Sequence, residues 1–437
     1  MSVAVGRNYI QRRASEWHLA VGGLLFIVMT QLYRPIAVVL GLTDLTLVTG
    51  TITALCLLYL MLGRVQSIIS VHDFPLLAVA VVGLPIFSMV YAEQHDWRSL
   101  LIQIHYLILM LAAAKCFVAR GIGERAMAAA IVVAFIGLGI SIFWPQVFAP
   151  MAAMADAKYD YHGRGSGLFL QPNLSAHNLV LLMMLFYLAR HRGRSPLLLS
   201  MAALFLIALF LTGSRGGLIA GSVFMLGLIL VERKLSDPRA PIFALLAGFV
   251  AAGAWVLWDM LSLGGFDLSL YIARVASLFS NDVLYEGSVG HRLVFQEAFI
   301  DRIRENPWLG YGLGSVNLML SQGRLVGAAH NQFLDLALQY GMVGIGVMLV
   351  CAMRLYKHIR DYRPDAGSSR AWLILITLGL SMMGSNMILD MQNFYILLGV
   401  AFAIRNGAVR QGRPVFRFGR ARAPARYPAG RTATGRY

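Results

Sequence analysis

The apolar stretches of this chain constrain its fold more than any other feature, because each approaches the length that crosses a bilayer. A transmembrane helix needs about 20 consecutive apolar residues. Twelve stretches of about this length cover residues 17–33, 44–63, 74–92, 99–118, 125–144, 174–190, 196–212, 216–231, 241–260, 332–353, 371–389 and 391–404. A lipid-exposed backbone must satisfy its own hydrogen bonds, and the stretches lack the alternating pattern of a membrane barrel. The predicted fold class is therefore an all-α polytopic membrane protein with about 12 transmembrane helices.

The composition agrees with a membrane protein. Hydrophobic residues make up 58% of the chain and charged residues 13%, whereas a soluble domain carries roughly 25% charged residues. Cys56, Cys116 and Cys351 each lie inside an apolar stretch at unrelated spacing, which predicts neither a disulfide framework nor a metal site. No cleavable signal peptide is predicted, because the first apolar stretch resembles a retained helix behind a polar, basic segment.

The basic residues predict the orientation of the chain. With the N-terminus in the cytoplasm, 27 of the 37 Lys and Arg residues fall on the cytoplasmic side. The positive-inside rule then predicts an even number of spans with both termini cytoplasmic. The formal net charge of +16 comes largely from these segments, and it favours anionic membrane lipids rather than nucleic acid as neighbours.

The lengths of the connections divide the chain. The outside segment 261–330, between predicted spans 9 and 10, is too long for a structureless connection. Apolar residues at helical spacing in 293–300 predict a domain of amphipathic helices that lies against the bundle. The predicted order is a cytoplasmic N-terminus, spans 1–9, this outer domain, spans 10–12 and a basic disordered cytoplasmic tail, bounded as 1–16, 17–260, 261–330, 331–404 and 405–437.

Three basic residues lie on the predicted outer face, which otherwise has few cations. Arg215 lies in a glycine-rich turn between spans 7 and 8, where an anion would meet its side chain and free helix amides together. Arg292 lies near the start of the amphipathic helix, and His330 precedes span 10, where a His can accept a proton at physiological pH. The alternative for Arg215 is a side chain that reaches to lipid phosphate, for Arg292 a solvated helix face, and for His330 a polar helix cap.

Other polar residues on this face complete the candidate site. Arg164 and Asn173, at the end of the first long outside loop, are candidates to contact a substrate. Asn331 and Asp335 share one helical face, and Asp390 is a candidate to orient the His, to bind a sugar hydroxyl or to cap a helix. The outer face shows no Asp/Glu/His cluster with metal-ligand spacing, so neither a metal nor another cofactor is predicted.

Four motifs follow one another on the predicted outer face. They are G-x-F-x-Q-P-N-x-x-A at 167–176, T-G-S-R-G-G at 212–217, H-R at 291–292 followed by N-P-W-L-G-Y-G-L-G at 306–314, and H-N-Q-F-L-D-L-A-L-Q-Y-G at 330–341. Together they resemble the O-antigen ligase family of the bacterial inner membrane, over about residues 163–390. The resemblance implies a GT-C-like glycosyltransferase architecture with a periplasmic active site.

The resemblance also implies roles for individual residues. Arg215 and Arg292 correspond to the arginines that bind the donor diphosphate, and His330 corresponds to the catalytic histidine. Many members carry an acid about nine residues after this His, where this chain has Gln339. Asp335 or Asp390 is then left to orient His330.

The predicted reaction transfers a glycan from undecaprenyl diphosphate to a sugar hydroxyl of lipid A-core, in lipopolysaccharide biosynthesis. Two arginines can neutralise the leaving diphosphate without a metal. Direct attack by the hydroxyl, with a His as general base, would invert the anomeric centre. An O-antigen polymerase and a protein O-oligosaccharyltransferase stay open, because they differ in the acceptor. A lipid-linked oligosaccharide flippase is the alternative from another class, although few charges lie inside the spans and segment 261–330 breaks a symmetric arrangement.

Overall fold

The protein is all-helical in the part of the chain that the structure describes. The structure, a computed structural model, describes residues 2–42, 44–62, 73–92, 96–119, 122–154, 165–190, 196–231, 288–362, 367–385 and 387–410. Every regular element in these ranges is a helix, as expected of a backbone that satisfies its hydrogen bonds within each segment. The predicted all-α class is therefore confirmed.

The described ranges contain sixteen α-helices, a first group of nine up to residue 189 and a second group of seven from residue 196. The first group is α1 Ser2–Thr30, α2 Tyr33–Val39, α3 Leu45–Met61, α4 Asp73–Ala78, α5 Leu84–Met89, α6 Trp97–Val118, α7 Glu124–Phe143, α8 Ala149–Met154 and α9 Pro172–Ala189. The second is α10 Pro196–Thr212, α11 Arg215–Val231, α12 Ser288–Glu305, α13 Ser315–Ser321, α14 Gln332–Tyr362, α15 Gly367–Gly384 and α16 Gln392–Arg410. A π-helical turn at Val79–Gly83 joins α4 to α5, and short 3₁₀ turns lie at Pro145–Phe148, Gly167–Phe169 and Ile388–Asp390.

Helices occupy eleven of the twelve predicted apolar stretches, and the ninth, 241–260, lies outside the described residues. Within the described ranges, four helices are long and apolar enough to cross a membrane: α6, α7, α9 and α14. A fifth candidate is the pair Glu16–Thr30 and Tyr33–Val39, if these two helices, which are bent by 92° to each other, form one span. Helices α10 and α11 have 17 residues each, about 26 Å at the usual rise, a little short of a hydrocarbon core of about 30 Å. These apolar helices show membrane character, and the total of twelve spans stays a prediction.

Helix α9 lies at the centre of the bundle. Every residue from Ser175 to Ala189 is buried, as expected of a helix that is apolar around its whole circumference. Helices α7, α10, α11 and α16 pack around it, and α16 also packs along α6. Helix α9 is therefore surrounded by helices from both halves of the chain.

The described part of the predicted outer domain contains α12 and α13. Residues 293–300 lie inside α12, and this helix packs against α14. Its fully buried Phe299 joins Met319 of α13 and Leu338 of α14 in one apolar cluster. The periplasmic position of this segment stays a prediction, and residues 261–287 lie outside the described ranges.

Helices extend beyond the apolar stretches at both ends of the chain. Helix α1 begins at Ser2, inside the predicted polar N-terminal segment 1–16. Helix α16 continues to Arg410, so the first six residues of the predicted disordered tail are helical. Helical hydrogen bonding needs no apolar side chains, so a helix can begin before an apolar stretch and continue after it. The remainder of the tail, 411–437, lies outside the described residues.

Helix α14 is broken at Gly341, and the N-P-W-L-G-Y-G-L-G segment fills the break. Gly341 has φ 59° and ψ −157°, a backbone conformation close to one that is almost restricted to glycine. The amide of Tyr311 donates to the Leu338 carbonyl at 2.8 Å, and the amide of Met342 donates to the Pro307 carbonyl at 2.8 Å. Backbone hydrogen bonds thus join two motifs that are separate in the sequence.

Candidate functional site

The turn that carries Arg215 is built to begin a helix. Gly213, with φ 57°, lies in the turn that follows α10. The hydroxyl of Ser214 accepts a hydrogen bond from the amide of Gly217 at 3.4 Å, as an N-cap residue does. Arg215 is then the first residue of α11, and it is half-buried. Its side chain starts at the helix end where backbone amides carry partial positive charge.

Three helices meet behind Arg215 with little side-chain volume between them. A Cβ added to Gly216 would lie 3.4 Å from the carbonyl oxygen of Gly384 in α15 and 3.6 Å from Nε2 of His177 in α9. These are ordinary contact distances, whereas a Cβ added to Gly217 would lie 2.3 Å from the Cβ of Ala176, so glycine at position 217 permits the close approach of α9 and α11. This convergence sets the position of Arg215.

His177 belongs to this site, and sequence reasoning missed it. Its side chain is fully buried, and neither ring nitrogen has a hydrogen-bond partner among the described residues. Buried polar groups without a partner are uncommon in native proteins. The Arg292 charge acts on the His177 ring, which places the two in one electrostatic environment. The signal available in the sequence was a His among the polar residues at the start of a largely apolar helix.

Arg292 connects the basic residues of the site. It lies in the second turn of α12 and is half-buried. Burial and the nearby Arg215 charge lower the pKa of its guanidinium. The Arg292 charge also acts on His330. The structure therefore brings together the three basic residues singled out from the sequence, although they come from three different segments.

His330 combines an unusual backbone with a perturbed side chain. Its φ of 51° is uncommon for a residue other than glycine, and such residues occur often at functional sites. Burial and the Arg292 charge lower the pKa of its half-buried ring. The ring is therefore neutral at neutral pH, the state in which one of its nitrogens can accept a proton. Gln296 of α12 holds the preceding segment by donating to the Ala329 carbonyl at 3.2 Å.

Asn331 and Asp335 lie at the N-terminal end of α14, just before it and in its first turn. The side-chain oxygen of Asn331 accepts a hydrogen bond from the amide of Phe333 at 3.0 Å, so Asn331 caps the helix. Asp335 is buried in the first turn. Burial and Arg292, rather than a carboxylate, perturb the pKa of His330. The role of Asp335 or Asp390 as partner of His330 thus stays a prediction.

Asp390 ends the 3₁₀ turn between α15 and α16. Its surface is exposed, yet the surrounding protein removes enough hydration to raise the pKa of its carboxyl to about 6. The raised pKa reflects the cost of charging a carboxyl that the surrounding protein desolvates. The Tyr106 hydroxyl donates to the Asp390 carbonyl at 2.6 Å, which holds the turn against α6.

The G-x-F-x-Q-P-N motif folds into the turn and helix start that the sequence predicted. Pro172 is the first residue of α9, and Asn173 follows it, half-buried. The amide of Gly167 donates to the hydroxyl of Ser141 in α7 at 2.9 Å, which holds the turn against the bundle. Arg164 lies outside the described residues.

The described site is cationic. Within the ranges that the structure describes, no group of three or more His, Cys, Asp and Glu residues lies together as metal ligands do. Two guanidinium groups and a neutral imidazole share the region between α11, α12 and the start of α14. Such groups can bind an anion and accept a proton beside it.

Comparison with known proteins finds one family. Residues 200–349 match the family model described as O-Antigen ligase. This region is about a third of the chain, and it contains Arg215, Arg292 and His330. The match confirms the resemblance predicted from the motifs, and it supports an enzyme of the O-antigen ligase or polymerase type in general terms. No curated protein matches the chain.

Proposed function

We propose, from the match of residues 200–349 to the O-antigen ligase family, that this protein is a glycosyltransferase that ligates O-antigen to lipid A-core. One observation carries the proposal: Arg292 lies close enough to feel the Arg215 charge, and its own charge acts on His330. Two guanidinium groups beside a neutral imidazole are what transfer from a diphosphate leaving group requires.

Arg215 and Arg292 bind the diphosphate of an undecaprenyl-diphosphate-linked O-antigen donor. A planar guanidinium presents paired N–H groups that match phosphate oxygens. The two charges repel each other in a half-buried setting, as the lowered pKa of Arg292 indicates, and an anion between them relieves this repulsion. Negative charge grows on the diphosphate as the bond from its oxygen to the sugar C1 breaks, and the arginines stabilise it without a metal.

His330 is the general base for the acceptor, a sugar hydroxyl of lipid A-core. The hydroxyl oxygen attacks C1, its proton passes to the His330 ring, and the diphosphate leaves from the opposite side. This single displacement inverts the anomeric centre. The lowered pKa of His330 supports the role, because the ring must be unprotonated before it can accept a proton.

The proposed setting is the bacterial inner membrane, with the active site periplasmic and both termini cytoplasmic. The distribution of 27 of 37 basic residues on one side supports this orientation. Anionic lipids are then the neighbours of the basic cytoplasmic segments.

Ligation by the purified full chain in detergent tests the proposal. The reaction contains undecaprenyl-diphosphate glycan and lipid A-core, with neither nucleotide nor added metal. We expect product from the wild type. His330→Ala should bind donor normally but lose transfer by a factor on the order of 10² to 10⁴. Arg215→Lys and Arg292→Lys should weaken donor binding as well as turnover, because an ammonium cannot replace the guanidinium fork.

Arg304→Lys is the matched control. Arg304 is on the same helix as Arg292, but its side chain is 76% exposed and pairs with Asp301, so its replacement should leave ligation unchanged. Absence of product from the wild type, or equal product from His330→Ala, would contradict the proposal. Product only with a second lipid-linked glycan, or only with a Ser/Thr peptide, would identify a polymerase or a protein oligosaccharyltransferase. A flippase would make no product, since detergent offers no second compartment.

A further inference from the structure

A cleft lined by both polar and apolar residues lies between α13, the glycine-rich segment before it and the start of α6. Its volume is about 350 Å³, within the range of about 300–1,000 Å³ that is common for small-molecule sites. The polar groups that line it belong to Asp96, Tyr311, Ser315, Asn317 and Ser321. None of these residues takes part in the proposed transfer chemistry.

Ser315 marks the cleft as a ligand site. The residue is 5% exposed, and its hydroxyl has no hydrogen-bond partner among the described residues. Burial removes the bonds that a hydroxyl makes with bulk water, so such groups are nearly always satisfied in native proteins. Because Ser315 lines the cleft, a ligand with its own hydroxyl groups can supply the missing partner.

Asp96 provides a fixed acceptor on the cleft wall. Its Oδ1 accepts from the Ser99 amide at 2.9 Å, and its Oδ2 accepts from the Ser99 hydroxyl at 2.6 Å. These bonds cap α6 and hold the carboxylate in place. Each carboxylate oxygen has a second lone pair, so both can accept a further hydrogen bond from a ligand. The cap of α6 then stays intact when a ligand binds to the carboxylate.

Tyr311 and Asn317 add the remaining chemistry. The Tyr311 hydroxyl donates to Glu305 at 2.7 Å, which restrains the ring. Asn317 is exposed, and its amide both donates and accepts. A restrained aromatic ring with fixed donors and acceptors suits a sugar, whose C–H face packs on the ring while its hydroxyls bind the polar groups. The Asp96 carboxylate would repel an anion, and a lipid tail would offer no hydrogen bond to Asp96, Ser315 or Asn317.

The cleft is connected to the candidate catalytic site through α14. The amide of Gly314 donates to the side-chain oxygen of Gln339 at 3.3 Å. Gln339 follows His330 by nine residues, or about 14 Å at the usual helical rise. An oligosaccharide can extend over such a distance, whereas a single sugar ring cannot. Gln339 therefore contacts the cleft segment at the position where many family members carry an acid.

We propose that this cleft is a carbohydrate subsite that binds sugar residues remote from the reacting bond. The inference rests on the proposed function, because it takes the ligand to be part of a glycan substrate. Donor glycan and acceptor core both present hydroxyl-rich rings, so the shared chemistry is that of a neutral sugar.

Filling the cleft tests the proposal. Asn317→Trp places a bulky side chain in the lining, and Gln322→Trp is the matched control, since Gln322 is exposed just beyond α13 and does not line the cleft. The probes are glycan released from the donor lipid and core oligosaccharide released from lipid A, each titrated into the full-length protein in detergent by calorimetry. We expect Asn317→Trp to weaken binding of one oligosaccharide about tenfold or more, and Gln322→Trp to leave both within about twofold. The oligosaccharide affected identifies the source of the sugar.

Asp96→Asn is a second variant that tests the cleft if Asn317→Trp does not fold. Asn also caps helices well, so the start of α6 should stay intact. This variant should weaken binding of the same oligosaccharide. Failure of the wild type to bind either oligosaccharide would overturn the proposal, as would equal binding by the wild type, Asn317→Trp and Asp96→Asn. In ligation, Asn317→Trp should raise KM for the affected substrate and leave kcat within about twofold. A wild type that binds oligosaccharide through the cleft yet ligates nothing would contradict the proposed function and leave the subsite standing.

Discussion

The break in α14 makes Gly341→Ala an informative test of how the site is held together. The backbone conformation of Gly341, φ 59° and ψ −157°, costs a residue with a Cβ about 1–3 kcal/mol. A Cβ at this position would also lie 2.3 Å from the carbonyl carbon and oxygen of Trp308. The segment that fills the break must therefore move in the variant.

That movement breaks hydrogen bonds between the segment and the helix. The bonds from the Tyr311 amide to Leu338 and from the Met342 amide to Pro307 are both 2.8 Å long, and each contributes about 0.5–1.5 kcal/mol net. Together with the backbone strain, the expected loss is about 2–6 kcal/mol. This is a large fraction of a typical unfolding free energy of about 5–15 kcal/mol.

Thermal unfolding of the purified protein in detergent, followed by tryptophan fluorescence, measures the effect. Gly346→Ala is the control, because Gly346 is on the same helix and nothing lies within 4 Å of a Cβ added there. Alanine in an ordinary helical position stabilises by about 0.5–1 kcal/mol relative to glycine, so the control should unfold at the wild-type temperature or slightly above. An unfolding temperature for Gly341→Ala equal to that of the control would refute the reasoning.

Three further predictions concern the chemistry and the orientation. Burial and Arg292 lower the pKa of His330 from 6.5, so the ring is already unprotonated at pH 7 and kcat/KM should be at its maximum there. It should fall only when the pH drops to the lowered pKa, and an acidic limb centred above pH 6.5 would contradict the assignment. Activity should survive EDTA, because two arginines neutralise the diphosphate; a loss that Mg²⁺ or Mn²⁺ restores would argue against this. In intact spheroplasts, Gln322→Cys should react with an impermeant thiol reagent and Lys357→Cys should not, since the charge distribution predicts residue 322 outside and residue 357 inside; the opposite labelling would reverse the predicted topology.

Local properties of the chain could be predicted well. An apolar stretch of membrane length is visible in the residues themselves, and α6 at Trp97–Val118 and α7 at Glu124–Phe143 lie within a few residues of their predicted positions. The turns could also be predicted from the sequence, because Pro172 and the glycines around Arg215 affect the conformation of the backbone next to them. Hydropathy bounds the apolar stretches and not the helices, so the start of α1 at Ser2 and the end of α16 at Arg410 could not be read from it.

Sequence alone thus determined the helical class and the polar character of the site-bearing turns, and its motifs singled out Arg215, Arg292 and His330 as candidates. Only the tertiary structure decided that Arg292 lies in electrostatic range of both other residues, and that His177 is buried beside them with no hydrogen-bond partner in the described part of the chain. Likewise, only the fold shows that the break at Gly341 accepts the segment around Tyr311. The physical reason is range: hydropathy and turn chemistry act over a few residues, whereas these contacts depend on how closely distant helices pack.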